Sequence, residues 1–597
     1  MPPAPRPRLH PVTSSAPLAA PPAALPALPI GWVVAVAVAA AAAPSLLAYN
    51  VSPSPTFLNQ ALAFALWAAF VMATAPVATR WAPGPVYGAL ALLAAAVGWS
   101  WLQALPESLA LSALGTMAAA ALLVAAGAGA RASGRAEALF AAFCWGWVAA
   151  GVLNIAIACV QVFAPGWTDG VWIATSGFPG RAVGNLRQPN HLSSLLMWSC
   201  VAVLGLLELG RLRRVAAAVL LAGLVFAVVL TASRTGLVSV LLLAAWGLAD
   251  RRLSRPARLL LLAAPVVYAL AWAGLDLWAA HTHHPFGGAE RLEQTDISSS
   301  RFAIWRDTLA LIRRYPLAGV GWGEFNLAWT LTPSPHRPVA FFDHTHNLVL
   351  QFAVELGLPL AALVVALLVW GLARGARNAW RAPAGTGVAQ RCAMVMVAMI
   401  GLHSLLEYPL WYSYFLLPTA WAWGYALQGT GPGAGPQVGP ARPAPAFHFA
   451  AVLLLLGAAY SVADYARVAA IFSAAPGAPP LEQRIAAGQR SVFFAHHADY
   501  AAVTSDLPLA DPAHAFDRVV HYLMDTRLMI AWAEWLDARG HVDAARDLAA
   551  RLREFHKPEA AEFFAACPDA AGPIAPGRPF QCEQPRRTLD WREFLKD

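Results

Sequence analysis

The chain has 597 residues, 58% of them hydrophobic and only 12% charged, with a formal net charge of +8. A soluble domain carries about 25% charged residues, so this composition excludes an ordinary soluble enzyme and describes a polytopic membrane protein. The positive balance does not point to nucleic acid, because the arginines lie in short loops between apolar stretches, where they report topology.

Residues 1–28 are rich in proline and alanine and read as a disordered N-terminal segment. The first apolar stretch has no persuasive cleavage site and reads as an uncleaved helix. A membrane-spanning helix needs about 20 mostly apolar residues. Spans are expected near 29–49, 57–77, 85–104, 109–130, 137–163, 191–209, 214–232, 235–249, 257–277, 346–372, 389–406, 410–428 and 446–465. That is an all-α architecture of about thirteen spans over a membrane domain 29–465. Loops after even-numbered spans carry Arg80, Arg131 and Arg135, Arg211 to Arg214, Arg251 to Arg258, Arg374 to Arg391, and Arg442. Loops after the first and third spans carry none. Positive residues stay cytoplasmic, so the N-terminus is expected inside. Segments 164–190 and 278–345, the 407–409 corner and the C-terminal tail are then periplasmic. Cys144, Cys159, Cys200 and Cys392 lie in or beside apolar stretches and read as small buried residues.

Residues 429–445 form a Gly/Pro-rich cytoplasmic linker. The tail, 466–597, reads as a soluble helical domain with amphipathic stretches on either side of Gly540, an expected C-cap. These two helices resemble one hairpin of a tetratricopeptide-like array. Cys567 and Cys582 stand in an oxidising compartment on this topology. A bridge closing a loop of about 15 residues is worth about 3 kcal/mol in the chain-entropy model.

Several polar clusters interrupt the apolar pattern on the expected outer side. In GNLRQPNHLSS, Asn185, Gln188 and Asn190 surround Pro189 just before a span, suited to sugar hydroxyls or to capping. In TASRTG, Arg234 reads as a phosphate-binding guanidinium or a snorkelling side chain. In ISSSRFAIWRDTL, Arg301 follows serines, and Ser298 or Ser299 is placed to cap a helix and direct N–H groups at the same anion. In FFDHTHNLVLQFAVELG, His346 and Asn347 stand where a long apolar helix begins, with Asn347 expected in its first turn. A histidine there is costly to place and reads as a reaction centre, against capping or packing. A metal site of Asp343, His344 and His346, joined by His281, His283 or His284, lacks typical zinc spacing. Glu355, deeper in the same helix, requires a partner that the sequence does not name. In HSLLEYPLWY, Glu407 and Tyr408 mark a proline-broken corner that reads as site-lining or as part of an aromatic belt. The chain has no P-loop, no G-x-S-x-G and no glycosidase-like carboxylate pair.

The ordered set SRTG, SSSRFAIW and HTHNLVLQFAVELG resembles the bacterial O-antigen ligase and polymerase superfamily. GNLRQPNHLSS, HSLLEYPLWY, the last span and the tail are more similar to its protein-targeting branch, the O-oligosaccharyltransferases or pilin glycosylation ligases. The resemblance implies a GT-C-like inner-membrane enzyme that moves a glycan whole from undecaprenyl pyrophosphate to an acceptor hydroxyl, without nucleotide sugar, metal or other cofactor. It implies a lipid-linked oligosaccharide donor and a pilin-like acceptor protein. By this likeness His346 matches an essential histidine, Arg234 and Arg301 match arginines facing pyrophosphate, and Gln188 and Tyr408 match polar residues of the protein-glycosylating branch. Ligation to lipid A core, glycan polymerisation, and transport of lipid-linked glycan are the competing readings. A transporter is expected to show several charges near the membrane midplane and internal repeats; the sequence has few such charges and no clear repeat.

Overall fold

The computed structural model describes residues 28–79, 83–288, 301–383, 385, 387–429, 444–505, 507, 511–567 and 579–595. The segment before residue 28, the linker 430–443, and Arg80, Arg291, Ser298, Ser299 and Arg442 lie outside the described residues. No β-strand occurs among the described residues. The first nine helices are α1 (Ile30–Leu46), α2 (Phe57–Thr74), α3 (Gly84–Gln103), α4 (Glu107–Ala132), α5 (Ala136–Phe163), α6 (Pro189–Glu208), α7 (Arg214–Leu230), α8 (Arg234–Ala249) and α9 (Arg255–Thr282). An insert follows, with α10 (Arg301–Arg314) and α11 (Phe325–Leu331). The bundle resumes with α12 (Leu348–Arg381), α13 (Val388–Ser404), α14 (Ser413–Leu427) and α15 (Pro445–Phe472). Among the described residues, eight helices are long and apolar enough to cross a membrane, and α1, α7, α8 and α13 are shorter apolar helices.

A helix that is apolar all round belongs in the middle of a bundle. This is α6, in which every residue from His191 to Leu206 is buried. Small residues set the closest crossing. A Cβ on Gly127 of α4 would lie 1.9 Å from the Trp421 carbonyl, and one on Gly424 of α14 would lie 1.9 Å from that of Val124. Only glycine lets these two backbones meet.

Helix α12 is broken at Gly357 (φ 75°, ψ 162°), just before Pro359. Proline lacks an N–H and its ring displaces the carbonyl one turn earlier. In hydrocarbon such freed groups must find partners within the protein. The insert supplies them: Val320 N–H donates to Val354 O at 2.8 Å and Gly321 N–H to Glu355 O at 3.0 Å, while Leu358 N–H donates to Pro316 O at 2.7 Å. The Glu355 carboxylate accepts from Gln351 Nε2 at 3.0 Å and from Gly323 N–H at 3.1 Å, the partners its depth requires.

The tail carries α16 (Leu481–Gly488), α17 (Ala495–Val503), α18 (Pro512–Val519), α19 (Thr526–Ala538) and α20 (Val542–Glu554). Its expected start at residue 466 falls inside α15, because the alanine-rich continuation stays helical after apolarity declines. Helix α19 ends in a Schellman motif: Gly540 (φ 86°) donates to Asp537 O at 2.9 Å and His541 to Leu536 O at 2.9 Å. Cys567 and Cys582 are joined as a disulfide. The tail is not a separate globule. Val320 and Trp329 of the insert, Phe352 of α12, and Trp532, Leu548 and Phe555 of the tail share one apolar core. His521 Nδ1 lies 2.8 Å from both Glu324 carboxylate oxygens, and buried Arg337 pairs with Glu554 at 2.9 Å.

A Cβ on Gly357 would stand 2.2 Å from Leu317 O, in a left-handed backbone that alanine disfavours. We predict that Gly357→Ala destabilises the protein by about 1–3 kcal/mol, the range for overpacking a tight contact. Thermal unfolding in detergent measures this. A wild-type Tm would mean that the glycine does not set the break.

Candidate active site

Five elements converge at one end of the bundle: the loop before α12, the corner between α13 and α14, and the first residues of α6, α8 and α10. His346 precedes α12 in the left-handed region, with φ 54°. A non-glycine residue there is strained by about 1 kcal/mol or more and persists only where its surroundings fix it. Asn347 is the N-cap, not a first-turn residue. Its Oδ1 accepts from Val349 N–H at 3.1 Å and Leu350 N–H at 3.0 Å, and its Nδ2 donates to Leu405 O at 3.0 Å. An asparagine at this position satisfies orphan helix donors, so the helix starts at Leu348. The same side chain ties the loop to the 405–412 corner.

Glu407 in that corner is the hub. Its Oε2 accepts from His346 Nδ1 at 2.7 Å, and its Oε1 accepts from Asn190 Nδ2 at 3.0 Å and from Arg301. The Glu407 side chain is 8% exposed and that of His346 15%. Asn190 is held in turn by Ser233, whose hydroxyl donates to Asn190 Oδ1 at 2.6 Å and accepts from Gly236 N–H at 3.0 Å as the N-cap of α8. Arg234 is the first residue of α8, directly after this cap. Burial alone would raise the Glu407 carboxyl. The hydrogen bond and charge of His346, with the charge of Arg301, outweigh it and hold the group at about 2. A fixed carboxylate on Nδ1 makes that nitrogen the donor and leaves Nε2 as the ring's proton acceptor.

The remaining expected residues divide. Tyr408 meets the His346 ring at 5.0 Å and stacks on His344 at 4.4 Å. Burial, then Tyr412 and Asp343, pushes its hydroxyl well up, so it stays a neutral donor. Gln188 is the N-cap of α6 and accepts from His191 N–H at 2.9 Å. Asn185 does not face the site. Its Oδ1 accepts from Ala174 N–H at 2.9 Å and its Nδ2 donates to Leu46 O at 2.6 Å and Trp172 O at 2.9 Å, so its amide is used in holding a loop. Asp343 and His344 lie 2.8 Å apart, while His346 turns to Glu407. Among the described residues no group of three His, Cys, Asp or Glu is arranged to hold a metal. Sequence reasoning missed Ser233 and the buried pair His191 and His403, with rings 5.9 Å apart behind Glu407. The signal for Glu407 as a partner of His346 was a carboxylate at a membrane corner, which requires one.

Comparison with known proteins places three family models on the segments that build this centre. An O-antigen ligase model matches residues 216–365. A protein glycosylation ligase model matches 182–207, and a model for the C-terminal part of a virulence-factor membrane-bound polymerase matches 392–568. A general O-oligosaccharyltransferase of Acinetobacter baylyi is 27% identical over 291 residues, 46% of this chain and 48% of that protein. A ComP-specific O-oligosaccharyltransferase of the same organism is 26% identical over 264 residues, 42% of this chain and 45% of that protein. The matches thus cover somewhat under half the length of these curated relatives.

A carboxyl held below its unfolded-state value, about 4.3, adds stability at every pH above that value and loses it as pH falls toward its folded value. We predict that the stability gap between wild type and Glu407→Gln contains a part of about 3 kcal/mol that is constant above pH ~5 and closes as pH falls from about 4.5 toward 2. Thermal unfolding across that range reads it. A gap independent of pH would mean that the partners do not answer the charge of Glu407.

Proposed function

From its likeness to the O-antigen ligase superfamily and to O-oligosaccharyltransferases, we propose that the chain transfers an oligosaccharide en bloc from undecaprenyl pyrophosphate to serine or threonine hydroxyls of periplasmic proteins such as pilins. The observation that carries this reading is the His346–Glu407 pair, 2.7 Å apart, with Arg301 on the same carboxylate. In this reading the helices form thirteen crossings of the bacterial inner membrane in a GT-C-like arrangement. The N-terminus is cytoplasmic, and the insert, the 405–412 corner and the tail face the periplasm.

Neutral His346 takes the acceptor hydroxyl proton on Nε2, and Glu407 steadies the imidazolium that results. The freed oxygen attacks the anomeric carbon while the bond from that carbon to the phosphate oxygen breaks. A single displacement of this kind inverts the anomeric centre. The pyrophosphate leaves with growing negative charge, and fixed guanidinium groups stabilise that charge more in the transition state than before it. Arg301 sits on the carboxylate edge of the site. Arg234 opens a helix whose N-terminus favours an anion, so its position suits a phosphate oxygen shared with that N-terminus. Gln188 and Tyr408 serve sugar hydroxyls, while Asn190, bonded to Glu407 and Ser233, steadies the carboxylate. Asn185, already satisfied by backbone, drops from the contact set.

The match of residues 392–568 to a membrane-bound polymerase favours one second reading, with another lipid-linked glycan as acceptor. The same base and arginines serve it.

The test uses purified protein with lipid-linked oligosaccharide and, in separate reactions, a pilin-type protein, lipid A core and a second lipid-linked glycan. Intact mass of each acceptor is the readout. The protein acceptor is expected to gain one whole glycan. His346→Ala is expected to lower the rate about 100- to 10,000-fold, the usual range for a general base. Arg234→Lys and Arg301→Lys are each expected to lower it about 10- to 100-fold, as for the loss of a charged hydrogen bond. Undiminished transfer by His346→Ala would remove the base assignment, and glycan found only on lipid A core or on the second glycan would replace the acceptor.

A further inference from the structure

The loop that carries His346 has no helix or strand of its own and is held from three sides. Thr345 is fully buried. Its N–H donates to Gln351 Oε1 at 2.8 Å, its hydroxyl donates to Asn347 O at 2.8 Å, and its carbonyl accepts from Trp305 Nε1 at 2.9 Å. These contacts come from α12 and from α10 of the insert. The third side is the C-terminal tail. Asn326 in α11, 4% exposed, bridges the two: its Nδ2 donates to Phe342 O at 2.8 Å, and its Oδ1 accepts from Met524 N–H at 2.7 Å. The Phe342 ring meets the His346 ring edge-on at 5.5 Å. One residue back, Phe341 stacks at 4.0 Å on Phe555, a fully buried tail residue that also packs edge-on against Trp329 at 5.6 Å.

We propose that the C-terminal tail is a positioning element of the reaction centre. The tail acts directly through Phe555 and, through Met524 N–H, on Asn326 of the insert. The two hold the 341–347 loop so that His346 keeps its left-handed backbone and its bond to Glu407. The inference rests on the reading of His346 as the base. Its physical ground is the backbone of His346, whose conformation a histidine does not hold unaided. A loop released at Phe341 and Phe342 is free to relax toward extended geometry and carry the imidazole away from Glu407. Misplacement by about 1 Å costs about a hundredfold in rate when reacting groups must be aligned. Neither Asn326 nor Phe555 touches substrate in this scheme; both act through the loop.

Asn326→Asp separates the two halves of the bridge. Aspartate keeps an acceptor for Met524 N–H, so the tail stays docked, but it has no donor for Phe342 O. Phe555→Leu is the second variant. It keeps an apolar side chain in the core and removes the stack on Phe341. Full-length protein is assayed for kcat and for KM toward the lipid-linked donor and the pilin-type acceptor. Hydrogen exchange is followed over 341–347 and over 520–555. The expected result is a kcat lowered about tenfold or more, with both KM values within about twofold of wild type. Exchange is expected to rise in 341–347 but not in 520–555. Phe555→Leu decides the matter if Asn326→Asp does not fold. Wild-type kcat in the folded variants would overturn the proposal, and so would a raised acceptor KM at unchanged kcat, which would make the tail an acceptor-binding surface instead. His346→Ala run in parallel keeps the two readings apart. If it is inactive while the loop variants are normal, positioning fails and the base stands; if it is active, the base reading itself fails.

Discussion

A carboxylate enclosed at the edge of a membrane is tolerated only when its charge is answered, and in this protein Glu407 needs residues from four separate stretches to answer it. His346 comes from the loop before α12, Arg301 from the insert, and Asn190 from the start of α6, with Ser233 at the cap of α8 behind it. Each of these contacts is individually ordinary. Together they explain why ends of helices far apart in sequence meet at one point. The same contacts that stabilise the anion also orient the imidazole, so one set of bonds serves stability and, in the proposed reaction, the chemistry.

A second constraint is the backbone itself. A helix broken by Gly357 and Pro359 exposes carbonyls where no water is at hand. The 316–321 segment answers them, and this fixes the insert against α12. The first segment of α12 then links the break to the site: Gln351 accepts from Thr345 N–H and donates to Glu355, which also accepts from Gly323 N–H. The insert therefore completes the hydrogen bonding of a broken helix and, through α10, brings Arg301 to Glu407.

Much of this is legible in the sequence for a simple reason. Apolar length and arginine parity are properties of contiguous chain, so helices such as α5 and α9 and the breaks between them can be read directly. His346 stands out because a polar cluster before a long apolar run is costly unless it has work to do. What cannot be read is pairing through space. Glu407 lies 61 residues from His346, and nothing local distinguishes a carboxylate that binds substrate from one that holds a base. The three amides of GNLRQPN illustrate the same limit. Asn185, Gln188 and Asn190 look alike on paper, yet one ties a loop, one caps a helix and one reaches Glu407. The start of α12 is not legible in the sequence because capping depends on where a side chain turns, and Asn347 turns back onto its own helix. The amphipathic faces of α19 and α20 were evident, but the surface that covers them belongs to the insert, a partner that periodicity cannot name.

Under the proposed reaction, the shared core of insert and tail restricts how the protein can respond to an acceptor. Domains joined by a small polar interface move relative to one another as a matter of course. Here Trp329, Phe352, Trp532 and Phe555 lie in one apolar cluster, and Asn326 and the His521–Glu324 pair cross the same boundary. A rigid-body swing of the tail would open that cluster, part Phe341 from Phe555 and break the Met524–Asn326 bond behind Phe342. Recognition at the tail surface must then act either through small shifts transmitted along Asn326 and Phe555, or not at all on the base. A packed core transmits displacement because it is dense and hardly compressible. The arrangement thus links the C-terminal tail to the side chain that the proposed chemistry depends on.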